Sequence, residues 1–554
     1  MPTPLDLGAA GQSASADAPP CAFVVLKFGG TSVSSLANWE RIAGIVEQRL
    51  SETSAGGAGA PKVVVVHSAL SGATDALGLA LDQVLERRRN SDTASGPYDV
   101  SSPVGKHKGT LAALVERHVA LGQELGLRNV EALLSSYQRE LERVVEGASL
   151  IGEVSARTRA RVVAMGELLS TTLGAEYLKQ RLGDGRVAWL DSREVLRSEP
   201  VRGRNFGTAD VERSYLQAAM QHEPSEDMRR RLQRSAASVF VAQGFIGSNA
   251  EGDTVLLGRG GSDTSAAYMA SILAARRLEI WTDVPGMFSA NPRLIPEARL
   301  LKSLSFDEAQ EIATTGAKVL HPRCIGPVRR HGIPTVICDT FRPKLAGTEI
   351  GAAAVGGSGL VKAISVRSGV VVVNLSTLDM WGGAGFLADA FRVFKEQGVS
   401  VDLVSTSESS VTVTVDAGEV DDEVMAAVKE ELSGLCEVTV IQDCASVSLV
   451  GQAIRKALHR LSPALLAFRE TQVHMMTQAA NDLNLTFVVD GDHADTIARE
   501  LHTALITQPF GGPGEEVAED LAACYGLPWC ELPGSRPSTP GREEVSVKDD
   551  KLTL

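Results

Sequence analysis

Cysteine is scarce, with seven in 554 residues, spread from Cys21 to Cys530 and never in a CxxC pair. This sparse, odd set argues against a disulfide framework and fits a reducing compartment. No run approaches the roughly 18 consecutive apolar residues of a membrane span. Positive charge is in deficit, with 54 Lys plus Arg against 68 Asp plus Glu, a formal net charge of −14. Nucleic-acid binding rests on neutralising phosphates, so this balance argues against it. It leaves room for a local basic pocket that takes an anionic substrate. The first 20 residues lack the basic start and apolar core of a secretory signal. They also lack arginine, which speaks against a transit peptide, and they are rich in Ala, Pro and Ser. They read as a disordered leader (1–20) of a cytoplasmic protein. Hydrophobic residues make up 44% and charged residues 22%, ordinary globular usage. The length implies about three to five domains.

Short apolar runs at Ala22–Lys27, Lys62–His67, Val187–Leu190, Ser238–Ala242, Leu278–Thr282 and Gly332–Asp339 read as buried strands. Helical spacing appears over Asn38–Leu50, Asp75–Arg88, Thr110–Glu146 and Arg157–Leu182, with a polar surface excursion over Asn90–Lys108. Strands alternating with helices imply an α/β domain, a mainly parallel sheet between helices, over 21–350. Gly351–Leu360 is small and uncharged and reads as a linker (351–361). Beyond it a β-α-β-β-α-β order appears twice, giving two small ferredoxin-like domains at 362–443 and 444–507. The tail 508–554 has no core-forming period after about Pro528 and is expected to be flexible.

Two glycine loops carry the chemistry. Lys27-Phe28-Gly29-Gly30-Thr31-Ser32 ends a strand with a lysine and two glycines. Glycines let backbone N–H groups approach an anion, and successive amides form a nest. The physics is that of a phosphate loop, although the GxxxxGK[ST] spacing is absent. Gly258-Arg259-Gly260-Gly261-Ser262-Asp263 runs into a helix, where Ser262 or Asp263 suits an N-cap and Arg259 offers a fork for a carboxylate. Each loop taken alone could be ordinary turn chemistry. Trp281-Thr282-Asp283-Val284-Pro285-Gly286 ends another strand, with Arg293 beyond it. Gly316-Ala317-Lys318-Val319-Leu320-His321-Pro322 supplies a second lysine. Glu167 lies on a mostly apolar helix, where it either faces solvent or meets a substrate ammonium.

Taken together, KFGGTSV (27–33), GRGGSD (258–263), WTDVPG (281–286) and GAKVLHP (316–322) resemble the aspartate kinases of the amino acid kinase family, in order and at compatible spacing. The resemblance runs from about Phe23 to Val489, and the doubled C-terminal unit resembles that family's paired ACT domains, the second inserted into the first. It implies transfer of the ATP γ-phosphoryl to the side-chain carboxylate of L-aspartate, the first step toward lysine, threonine and methionine. It implies that Lys27 and Lys318 contact the transferring phosphates, with Gly29 and Gly30 supplying amides. Arg259 would clamp the aspartate α-carboxylate and Glu167 its ammonium. Thr31, Ser68, Thr74, Ser262 and Asp263 would complete the substrate shell. Thr282, Asp283, Phe288 and Arg293 would hold the nucleotide, with Mg²⁺ carried mostly by ATP and water. Phe288 stands where the family often has Tyr, which keeps a stacking face and loses a hydroxyl. Met380, Val401, Asp402, Thr406, Ser407 and Glu408 match effector positions of lysine-sensitive relatives. Lysine, with or without threonine, is the expected inhibitor, and ACT pairs imply a homodimer. Gly383 stands where some relatives have Ser. Val473–Val489 also resembles the kinase portion of bifunctional aspartate kinase–diaminopimelate decarboxylases, and 47 residues beyond Thr507 are too few for a decarboxylase barrel. Two rival readings remain: a related kinase with another acceptor, and a non-catalytic amino-acid sensor. The presence of both Lys27 and Lys318 opposes the latter.

Overall fold

The computed structural model describes residues 23–52, 61–92, 106–200, 208–317, 319–353, 360–377, 385–457, 461, 464–507 and 524–532. The leader, most of the linker, Lys318, Met380 and Gly383 lie outside them. The chain divides into two compact units, Met1–Gly286 with Val319–Ala352, and Met287–Lys318 with Ala353–Leu554.

The first unit holds β1 (Phe23–Phe28), α1 (Leu36–Leu50), β2 (Lys62–His67), α2 (Ala73–Asp92), α3 (Lys106–Glu124), α4 (Val130–Ile151), α5 (Ala156–Val163), α6 (Met165–Leu182) and β3 (Val187–Leu190). It continues with α7 (Ser192–Val195), α8 (Thr208–Leu216), α9 (Glu226–Arg234), β4 (Val239–Gln243), the hairpin β5 (Ile246–Ser248) and β6 (Thr254–Leu256), α10 (Gly261–Ile272) and β7 (Arg277–Thr282). After the excursion into the second unit come α12 (Ile325–Arg330), β10 (Thr335–Asp339) and β11 (Thr348–Gly351). Its strands lie in the order β3-β4-β2-β1-β7-β10-β11. All neighbours are parallel except β10 and β11. Strands buried on both faces read as continuous apolar runs, and β1 is buried at every position. Each of the two long helical patterns divides in two. Gly126 and Asn129, both at positive φ, separate α3 from α4, because a left-handed residue ends a helix.

The central strand β7 carries one charge inward. Glu279 accepts from Arg49 Nε at 2.8 Å, from Arg277 Nε at 2.6 Å and from the Trp281 indole at 3.0 Å. A carboxylate at that depth persists only when it is paired and hydrogen-bonded.

The second unit holds β8 (Arg299–Leu301), β9 (Ser303–Ser305), α11 (Phe306–Thr314), β12 (Leu360–Ser376), α13 (Phe386–Glu396), β13 (Leu403–Thr406), β14 (Ser410–Asp416), α14 (Asp422–Ser433) and β15 (Glu437–Gln452). Then come β16 (Val473–Thr477), β17 (Asn484–Asp490), the helix Gly491–His502 and β18 (Tyr525–Pro528). One sheet runs β13-β14-β12-β15-β17-β16. Strands β12 and β15 serve both small modules. Val370–Ser376 pairs with Cys444–Glu437, and Leu360–Ser368 pairs with Gln452–Ala445. Residues 360–368 thus give the C-terminal module the strand that 444–507 lacks, so the module boundary differs from the expected cut at 443/444. The helix read at Pro463–Glu470 is reduced to a 3-10 segment over Ala464–Phe468.

Two further expectations are corrected. Residues 287–318, assigned by sequence to the catalytic domain, pack with the C-terminal strands. Lys362 Nζ meets the Glu308 carboxylate at 2.7 Å with both side chains fully buried, and the Ile364 N–H donates to the Ser289 carbonyl at 2.7 Å. The tail is not flexible throughout either. Strand β18 pairs with β8, and the buried Tyr525 hydroxyl donates to the Val361 and Lys362 carbonyls. These backbone partners are reason enough for this short segment to dock, and hydropathy spacing does not reveal them.

Candidate active site

In the first unit the register aligns Phe28 with His67 and Trp281, His67 with Gln243, and Thr282 with Asp339. The carboxyl ends of β1, β2, β4, β7 and β10 therefore share one edge. The loops that leave this edge begin at Gly29, Ser68, Gly244, Asp283 and Thr340. Ligands of parallel α/β sheets bind beyond such ends.

Lys27 is the penultimate residue of β1. Its Nζ lies 2.7 Å from Asp263 Oδ1 in the first turn of α10, with the side chains 11% and 15% exposed. The other Asp263 oxygen accepts the His321 backbone N–H at 3.4 Å. A Cβ on Gly30 would stand 2.8 Å from the Ala69 carbonyl oxygen, so only glycine lets the two loops close. Gly260 has φ +67°, and a Cβ there would run into the His321 ring. The Ser68 hydroxyl donates to Ser262 Oγ at 2.9 Å, joining the loop after β2 to the start of α10. Lys27, Gly29, Gly30, Ser68, Ser262 and Asp263 thus come together around one helix N-terminus and two glycine loops, a setting that attracts anions.

Arg259 and Thr31 are exposed beside this cluster, and Thr74 is half-buried in the first turn of α2. Thr282 is half-buried and donates to Asp283 Oδ1 at 3.2 Å.

Glu167 is 2% exposed at the start of α6, so the solvent-facing reading is excluded. Its Oε1 accepts the Ala69 N–H at a long 3.4 Å, and its Oε2 is buried with no hydrogen-bond partner. Burial pushes the carboxyl up to about 8, with only the Ala69 and Glu167 backbone hydrogen bonds opposing it. Such a group is poised to receive a cation. The neighbouring His67, held by the Ser68 carbonyl at 3.0 Å, is lowered to about 4 by burial and stays neutral.

Comparison with known proteins now separates the readings. The profile of the amino acid kinase family matches residues 22–339. The lysine-sensitive aspartokinase 3 of Escherichia coli is 33% identical over 87% of this chain and 99% of its own length. The chain belongs to the amino acid kinase family, among its aspartokinases. The E. coli aspartokinase III solved in complex with aspartate and ADP has a TM-score of 0.69 and 29% identity, covering 87% of this chain and 99% of that one. The same enzyme in complex with lysine and aspartate has a TM-score of 0.64 and 30% identity, at the same coverage. The expected fold, an amino acid kinase domain with C-terminal regulatory modules, is borne out.

Two expected nucleotide residues of this aspartokinase family member belong to the second unit. The Phe288 ring is buried edge-on to Trp529, with centroids 5.5 Å apart, and Arg293 is exposed. Of the effector positions, Val401 is half-buried and Thr406 and Glu408 are exposed, while Ser407 Oγ lies 2.7 Å from Ser410 Oγ. Asp402 is exposed but already paired. Arg367 of β12 reaches both Asp402 at 3.0 Å and Asp416 at 2.6 Å. Burial raises the Asp402 carboxyl, against the pull of Arg367.

Sequence reasoning missed several residues that shape the loops. Ser34 Oγ donates to the Gly30 carbonyl at 2.6 Å and accepts the Ser71 N–H at 3.3 Å. Ser32 and Thr340 pair at 3.1 Å in a buried contact. His321 had a signal, its place in GAKVLHP. Burial lowers its pKa, Asp263 opposes this, and Arg323 and Arg259 reinforce it.

Proposed function

We propose that this chain phosphorylates L-aspartate. The side-chain carboxylate oxygen bonds to the γ-phosphorus of ATP as the bridging bond to the β-phosphate breaks, giving 4-phospho-L-aspartate and ADP. The carboxylate is already ionised near neutral pH, so no general base is required. The site's tasks are to hold two anions in line and to stabilise charge on the moving phosphoryl group. The buried, unpartnered Oε2 of Glu167 supports a free amino acid as the acceptor, because its ammonium would satisfy that oxygen. A nucleotide, carbamate or N-acylated amino acid brings no such cation.

Each remaining role follows from charge and position. Lys27, released from Asp263, would meet the γ-phosphate together with the amides of Gly29 and Gly30. Arg259 would fork onto the α-carboxylate. Thr31, Ser68, Thr74 and Ser262 would orient the substrate. Thr282 and Asp283 would take the nucleotide side, while the roles of Lys318, Phe288 and Arg293 rest on the resemblance alone. Both Asp263 oxygens are engaged, by Lys27 and by the His321 amide. Even with Lys27 released, Asp263 alone is too little for a carboxylate cage, so Mg²⁺ would arrive on ATP, held by phosphate oxygens and water, where it neutralises phosphate charge.

Lysine is the proposed inhibitor, acting through the second unit, since the lysine-sensitive E. coli aspartokinase 3 is similar across most of this chain. An ACT-mediated homodimer and a cytoplasmic site of action complete the reading, and the six described cysteines are all free thiols. Among the described residues no helix is long and apolar enough to cross a membrane. An ADP-release assay over aspartate, glutamate, N-acetylglutamate, uridylate and carbamate tests the acceptor. Turnover with aspartate above all others is expected; preference for any other acceptor, glutamate included, would overturn the proposal.

A further inference from the structure

On the first unit, away from the strand ends, His222, Glu223 and His331 bring three ligand atoms within 4.8 Å of one another. His222 Nδ1 lies 3.1 Å from the Met220 carbonyl oxygen. A carbonyl only accepts, so Nδ1 carries the proton and Nε2 keeps its lone pair. Metal-binding histidines are oriented in this way. His331 caps the end of α12, and its Nε2 is shut off from solvent with no hydrogen-bond partner, 4.0 Å from Glu223 Oε2. A buried ring nitrogen left unpartnered is costly. The two rings stand edge to face at 5.9 Å, and Tyr268 packs against His222 at 5.4 Å. Glu223 is 74% exposed and also lies 3.6 Å from Arg330. Such an exposed pair is weak enough for a bound cation to displace.

We infer that His222, Glu223 and His331 bind one divalent d-block cation, zinc foremost. Two imidazoles and a carboxylate match three-ligand zinc sites, which keep water in the fourth position. Ligand atoms around zinc sit about 3.3 Å apart, which follows from metal–ligand distances of about 2.0–2.1 Å. Rotation of the exposed Glu223 closes much of the difference. Two nitrogen donors disfavour magnesium, so the ion carried by ATP does not compete.

The site has a structural consequence. Arg323, just ahead of α12, already donates to the Leu257 and Ala218 carbonyls, and His321 meets Asp263. A metal would tie the same segments together a second time, behind the GRGGSD loop and without touching substrate.

The test uses the full chain stripped of metal with a chelator. Cobalt(II) is titrated as a spectroscopic probe, zinc competes, and thermal melting is followed in parallel. One zinc per chain at micromolar affinity or tighter, visible cobalt bands and a raised melting temperature are expected. His222→Ala and His331→Ala should each weaken zinc at least ~100-fold, the upper range for disturbing a metal's surroundings. Melting of the metal-free variants checks that they fold. Absence of wild-type binding at 100-fold above micromolar zinc (about 100 μM), or binding that survives both substitutions, overturns the inference.

Discussion

The strand-end cluster of the first unit and the effector patch of the second treat charge in opposite ways. In the first, ionisable groups are buried and short of partners: Lys27 has one acidic partner and Glu167 has an oxygen with none. In the second, the charges are half-exposed and amply paired, with Arg367 spanning Asp402 and Asp416. A buried group lacking partners gains much from a ligand, whereas a solvated pair has little left to gain. The difference teaches where chemistry and where tuning should lie. Substitutions in the first unit should alter rate and stability by orders of magnitude, and those in the patch should shift only the response to an effector.

The sharpest test of that contrast is structural. Glu279→Ala removes the buried acceptor shared by Arg49, Arg277 and the Trp281 indole, leaving the two arginines only Glu52, and should cost about 3–5 kcal/mol in chemical denaturation. Loss of under ~1 kcal/mol would mean that buried charge in this unit matters no more than surface charge. Next, Lys27→Ala and Arg259→Ala should each lower kcat/KM at least ~100-fold, the scale of one preorganised charge contact. Near-wild-type activity in either variant removes that residue from the assignment.

Glu167→Gln should raise the KM for aspartate about 10- to 100-fold, as expected for losing a hydrogen bond to a charged group worth about 1.5–3 kcal/mol. The KM for ATP should move little. The same variant carries a pH signature. With its carboxyl pushed up to about 8 in the fold from an ordinary 4.5, the native state holds a proton that the unfolded chain has lost. Stability should therefore fall as pH rises between those values, and Glu167→Gln should flatten that slope. Parallel pH profiles for the two proteins would count against the burial. The smallest effect belongs to the patch. Arg367→Ala frees Asp402, so lysine should inhibit at about 2- to 5-fold lower concentration, the range of a partly exposed pair. The uninhibited kcat should stay unchanged. A drop in kcat there would erase the distinction between the two regions.

The same contrast explains what was legible in the sequence. Every strand read in the parallel sheet appears, because doubly buried strands spell themselves as apolar runs such as KVVVVH. The glycine loops were legible because close backbone approach demands glycine at Gly30 and Gly260. Glu167 stayed ambiguous, since an acid on an apolar helix does not reveal which way it points. The Arg367–Asp402–Asp416 cluster was illegible, because it depends on register between strands distant in the chain. The shared strand β12 and the docking of Tyr525 were hidden for the same reason. Both are settled by long-range hydrogen bonds that leave no periodic trace.

The most direct measurement is hydroxylamine trapping of an acyl phosphate after incubation with ATP and L-aspartate. Aspartyl hydroxamate from the wild-type chain, and at least ~100-fold less from Lys27→Ala, is the predicted result. A folded wild-type chain that consumes ATP without forming hydroxamate, or forms it as well without Lys27, would contradict the account.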